Sequence, residues 1–165
     1  MRVWPLALSL AGVTAIAAAA WTLMPARLVW NATASAPIGL YWVSPRVFHK
    51  NDLVLARLTS AMKNLIVQRG YLPPDVPVLK RVAASNGDEI CRYGRAISIN
   101  GTPIATALTT DSLGRAMPVW SGCRVLNDHE ILLLNDHPRS LDGRYFGATD
   151  KAFVIGRAQL LWERR

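Results

Sequence analysis

The chain has 165 residues, about the size of one domain. Hydrophobic residues make up 51% and charged residues 18%, which excludes a disordered tail and calls for a packed core. Nineteen Lys and Arg against eleven Asp and Glu give a net charge of +8, which suits nucleic acid or an anionic membrane surface. Two cysteines and three histidines are too few for a disulfide scaffold or an evident zinc site.

The first element lies at residues 3–24, 22 positions without a charge. As a helix they would reach roughly 33 Å, enough for a ~30 Å hydrocarbon core, with Trp4 and Trp21 near the two ends. A cleaved secretory signal ending at Ala18-Ala19-Ala20 is the competing reading. Length favours a retained single-pass anchor at residues 1–24. Either way, residues 25–165 form one domain outside the cytoplasm. Its arginines are scattered at no helical spacing, and no helix-turn-helix, zinc finger or Gly-rich phosphate loop accompanies them, so nucleic acid is not expected as a partner. Contact with an anionic leaflet, or a generic solvated surface, accounts for the charge equally well.

Strand-like segments follow at 40–44, 52–58, 77–85, 89–101, 130–135 and 153–162, bounded by Gly, Pro, Asn and Asp. Asn100-Gly101 between alternating apolar residues predicts a type I′ hairpin. A single helix is expected over 60–69, ending before Gly70, with Pro73-Pro74 as a stop. The expected fold is a mainly β domain with minor helix.

No usual Ser-His-Asp set is present, because His49, His129 and His137 all sit in turn-like surroundings. A hydrolase without a histidine base can use a lysine of lowered pKa. Of the four lysines, Lys80 alone interrupts an apolar run, sharing a strand face with Val78 and Val82. Burial there would disfavour its charge. The strand pattern alone fits a snorkelling edge lysine better. Ser35 lies among small residues in NATASAPIGLYWV (31–43), where Pro37 fixes φ and Gly39 allows a close backbone approach. The run NDHPRSLDGRYFGATD (135–150) places Ser140, Asp142 and Arg144 at alternate positions, where Asp142 and Arg144 could pair.

Taken in order, Ser-x-Pro-x-Gly, Asp-Leu-Val, Lys-Arg-Val with Gly-Asp, and Asp-x-Arg-Tyr-Phe-Gly resemble bacterial signal peptidase I, the Ser/Lys leader peptidases. NATASAPIGLYWV, LKRVAASNGDEI, GRAMPVWSGCR and SLDGRYFG are similar, more narrowly, to the TraF-type conjugative transfer peptidases. The chain departs from leader peptidases at Ala36, where they carry Met, at Ser85-Asn86, and at Gly143, and it lacks their large inserted region.

The resemblance implies a signal-peptidase-like β domain with Ser35 as nucleophile and Lys80 as general base. It implies Thr33 with the Ser35 N–H as oxyanion hole, Ser140 orienting the lysine, and Asp142 and Arg144 bracing the loop. No cofactor or metal is implied. Substrate would add as a strand between residues 36–40 (Ala36, Pro37, Ile38, Gly39, Leu40) and 77–82 (Val78 and Leu79 among them). Trp30, Tyr41 and Trp42 would rest on the membrane lipid. The implied setting is the bacterial inner membrane, with the catalytic domain in the periplasm and other conjugation or secretion components as further partners. The implied substrate is an exported precursor such as a conjugative pilin, cut with or without cyclisation. A general leader peptidase and a catalytically silent tethered assembly protein are the alternatives, and the missing DNA-binding domain disfavours a self-cleaving repressor. In an oxidising periplasm Cys91 and Cys123 are expected to form a disulfide, two buried thiols being the alternative.

Overall fold

A computed structural model describes residues 12, 14 and 28–164. The rest of the expected anchor at 1–24 lies outside the described residues, among which no helix is long and apolar enough to cross a membrane.

The chain runs β1 (Leu28–Asn31), β2 (Gly39–Ser44), β3 (Leu53–Ala56), α1 (Ser60–Arg69), β4 (Val78–Ala84), β5 (Glu89–Tyr93), β6 (Ala96–Ile99) and β7 (Thr102–Thr106). It continues through β8 (Gly122–Val125), β9 (Glu130–Leu134), α2 (Gly143–Phe146), β10 (Thr149–Asp150) and β11 (Val154–Glu163). A seven-stranded sheet has the order β1-β2-β11-β3-β4-β9-β10, and a four-stranded sheet the order β7-β6-β5-β8. The mainly β architecture with few helices agrees with the expectation. The expected strand 89–101 is divided by a turn at Gly94, whose φ of 58° supplies the left-handed position between paired Tyr93 and Ala96. Asn100 and Gly101 take φ of 50° and 77°, as a type I′ turn requires. Helix α1 starts on Thr59, whose side chain accepts from the Met62 N–H, and ends on Gly70 at φ 65°.

The core is built in three clusters, and β4 contributes to each. Leu79 packs with Tyr41, Val43 and Leu55; Val82 packs with Val54, Ile131 and Leu133; Ala84 packs with Ile90, Ile97 and Leu132. A strand buried on both faces cannot send Lys80 to solvent, which removes the snorkelling reading. At the other end of the sheet β2 and β11 come together very closely at Gly39, where a Cβ would fall on the Trp162 carbonyl oxygen. Cys91 and Cys123 face each other across β5 and β8, joined by a disulfide bond.

Candidate active site

Ser35 sits in the turn between β1 and β2, and buried Asn31 at the end of β1 shapes that turn from inside. The Asn31 amide donates to the carbonyls of Thr33 (2.9 Å), Ala36 (3.0 Å) and Pro37 (3.0 Å). Its Oδ1 accepts from the Thr33 N–H (3.2 Å) and hydroxyl (3.0 Å). The Tyr41 hydroxyl adds a bond to the Pro37 carbonyl, 2.7 Å, and the Arg164 N–H one to the Ile38 carbonyl, 2.8 Å. The Thr33 and Ser35 hydroxyl oxygens then stand 3.4 Å apart. Asn31 was not anticipated, since a buried amide that organises a turn has no local pattern.

Lys80 is 4% exposed and donates to Ser140 Oγ at 2.7 Å. Burial lowers its pKa to about 8; the Asp142 carboxylate opposes this and the Arg144 guanidinium assists it. The lysine backbone is fixed from both sides by Asn135. The amide of Asn135 takes the place of a further β9 residue, accepting from the Arg81 N–H (3.0 Å) and donating to the Leu79 carbonyl (3.0 Å). Asn135 in turn donates its N–H to Asp142 (3.1 Å) and accepts from Arg144 Nη2 at its carbonyl (2.6 Å). Asp142 and Arg144 form a fully buried ion pair at 2.8 Å, and Arg144 also bonds the Pro138 carbonyl at 3.0 Å. The Arg144 carbonyl accepts from buried Arg92 at 2.6 Å. With the charges paired and the remaining donors met, the loop that carries Ser140 is held rigidly.

Ser35, Thr33, Lys80 and Ser140 line one cavity of about 520 Å³ with mostly apolar walls. Ser35 and Lys80 both line this space, and their hydrogen bonds go to Thr33 and Ser140 rather than to each other. A neutral amine held by Ser140 keeps a lone pair for a hydroxyl proton, so the set is equipped for base-assisted attack by a serine. The exposed histidines His49, His129 and His137 take no part in it.

Three expectations need correction. Gly39 and Leu40 pair with β1 on one flank and with β11 on the other, so they cannot accept an added strand. On the second wall β4 pairs with β9 from Arg81 onward, and Asn135 occupies Leu79 O and Arg81 N, which leaves only the start of β4 open opposite β3. Tyr41 is 1% exposed and cannot lie on a membrane. Its hydroxyl serves the Ser35 turn instead.

Similar known proteins identify the family. Residues 1–163 match the family described as signal peptidase, peptidase S26. A plasmid transfer protein TraF from Escherichia coli is 32% identical over 145 residues, covering 80% of this chain and 82% of the relative. A second Escherichia coli TraF is 30% identical over 166 residues, covering 93% of each. A probable conjugal transfer protein TraF of Sinorhizobium fredii is 33% identical over 141 residues, covering 78% of this chain and 73% of that one. Signal peptidase I of Enterococcus faecalis V583 aligns at a TM-score of 0.41 and 17% identity, covering 69% of this chain and 98% of its own. With nearly the whole chain matched and relatives at about a third identity, the protein belongs to the signal peptidase S26 family.

Proposed function

We propose that this protein is a serine endopeptidase in which Ser35 and Lys80 form the catalytic dyad. One observation carries the reading: a buried lysine with its pKa lowered to about 8, held by Ser140 in the same cavity that Ser35 and Thr33 line. The neutral Lys80 amine takes the Ser35 hydroxyl proton as the oxygen attacks the scissile carbonyl. The developing oxyanion is met by the Ser35 N–H and by the Thr33 hydroxyl, which turns from Asn31 to donate. Lys80 then hands its proton to the leaving amine, and water or a peptide amine resolves the acyl-enzyme, giving a cut or a joined product.

An extended peptide would enter the apolar cavity along the start of β4, where the alternation of the ladder leaves Pro77 C=O and Leu79 N–H on the open flank. Membership of the signal peptidase family favours Ala-x-Ala-like residues before the cut. The likeness to the TraF proteins supports an exported precursor of a conjugation system, the pilin subunit first, as substrate. Exposed Trp30 and Trp162 stack at 5.7 Å at the β1–β11 end of the sheet, which would seat the domain on lipid beside a residue 1–24 anchor. Mass spectrometry of the pilin precursor, co-expressed with the wild-type chain or with Ser35→Ala, tests the proposal. Processing that depends on Ser35 is expected. Unchanged processing by Ser35→Ala rejects it and leaves a scaffold role.

A further inference from the structure

Ser35 borders a second cleft that the reaction above does not use. It has a volume of about 580 Å³, and Arg81, Asn135, Asp136, His137 and Arg164 line it together with residues 34–38. Lys80 lines the apolar cavity, whereas its neighbour Arg81 lines the polar cleft and, through its bond to Asn51, borders a further cleft beside it. A polypeptide lying across Ser35 therefore meets a lysine and apolar walls on one side and guanidinium groups on the other.

Those guanidiniums have no carboxylate partner among the described residues. Arg81 spends one nitrogen on the Asn51 carbonyl at 2.8 Å, and among the described residues neither Arg81 nor Arg164 forms an ion pair. Of the ten other described arginines, five, at positions 69, 115, 124, 144 and 157, have carboxylate partners. The main chain that carries each of them is anchored. Arg81 sits in a strand paired on both flanks, and Arg164 donates its N–H to Ile38 O beside the nucleophile turn. Asp136 is the only carboxylate in the lining, so the cleft keeps a net positive charge. A fork of guanidinium donors matches a carboxylate bidentately.

We infer that this cleft is a carboxylate-recognising subsite, in which Arg81 and Arg164 hold an acidic group of the substrate on the side of the scissile bond away from Lys80. The assignment rests on the peptidase reading of Ser35. The carboxylate is either an Asp or Glu side chain a few residues past the cut, or the free end of a short tail. Both present the same group to the fork.

The test uses the full chain in detergent micelles and internally quenched peptides with Ala-x-Ala before the cut and four residues after it. One arm places a single Glu or Gln at each downstream position on an amidated peptide. The other compares a free C-terminal acid with its amide on a neutral sequence. A preference of about tenfold in KM for the carboxylate is expected in one arm, which identifies the source. That ratio should fall towards one in Arg81→Gln and Arg164→Gln and persist in part in Arg81→Lys. It should grow in Asp136→Asn, a response that a merely structural role would not give. Ser35-dependent cleavage with equal rates in both arms overturns the subsite and leaves the peptidase standing, as does a preference that survives both Gln variants. Anisotropy of a fluorescein-labelled downstream tetrapeptide on Ser35→Ala reads the cleft without catalysis. Arginine-dependent preference for its acidic form supports the subsite even if no peptide is cut, whereas equal binding of the Glu and Gln forms overturns it.

Discussion

Burying Lys80 costs stability at neutral pH. Below about 8 both the native and the unfolded chain hold its proton, and lowering the pKa from 10.5 to about 8 corresponds to about 3 kcal/mol against the native state. Between those values the unfolded chain binds a proton that the native chain has released, so stability rises with pH there. Lys80→Met is therefore expected to be more stable than wild type at pH 7 by about 1–3 kcal/mol, the gain fading towards pH 10.5. Chemical denaturation at both pH values checks it, and a less stable variant at pH 7 rejects the burial argument. Activity has the opposite requirement. Lys80→Arg should be inactive, and wild-type kcat/KM should climb with pH through about 8. Thr33 allows a finer test: Thr33→Val should lose on the order of 10²–10³ in kcat while Thr33→Ser keeps most activity. Equal rates of the two variants would remove Thr33 from the oxyanion hole. At this scale the motifs singled out Thr33, Ser35, Lys80 and Ser140, which the fold brings to one cavity, Lys80 being the one lysine in an apolar run. Asn31 and Asn135 were not legible. Each acts by replacing a missing backbone partner, and that depends on which strands lie next to it rather than on its own neighbours in sequence.

Among the elements, the loop from β9 to α2 depends on a single ion pair with no access to water. Arg144→Met leaves Asp142 charged and buried, and should cost about 3–5 kcal/mol in urea unfolding. Arg144→Lys should recover only part of this, because one ammonium cannot serve Asp142, Asn135 and Pro138 together. A loss below about 1 kcal/mol in the Met variant would show that the pair is not what holds the loop. Strand periodicity revealed the central strands, and helix α1 matched its expected bounds because Gly70 and Pro73-Pro74 mark its end. The short strands β1, β8 and β10 escaped because they have only two to four residues, too few to show a period. The idea of a substrate strand lying along residues 36–40 failed for a tertiary reason. At Gly39 and Leu40 the neighbour is β11, more than a hundred positions away in sequence, and it takes the flank the substrate would need.

For the whole molecule, the Cys91–Cys123 disulfide closes a separation of 32 residues and ties β5 to β8. Replacing both by Ser should lower stability by about 3–4 kcal/mol in the chain-entropy picture. A variant equal to wild type under oxidising conditions would contradict it. The two halves of the proposed catalytic site ride on separate parts of the large sheet. Ser35 leads into β2 and Lys80 lies in β4, with β11 and β3 between them. Gly39 needs no left-handed φ; its requirement is room, since β11 presses on it through the Trp162 carbonyl. A methyl group at that point would act as a shim, prising the nucleophile turn off the strand it is seated on while the Lys80–Ser140 half stays where it was. Gly39→Ala should therefore be an enzyme out of alignment rather than one out of chemistry: kcat falls tenfold or more, on the order of a 1–3 kcal/mol overpacking strain, yet the residual rate still climbs with pH through about 8.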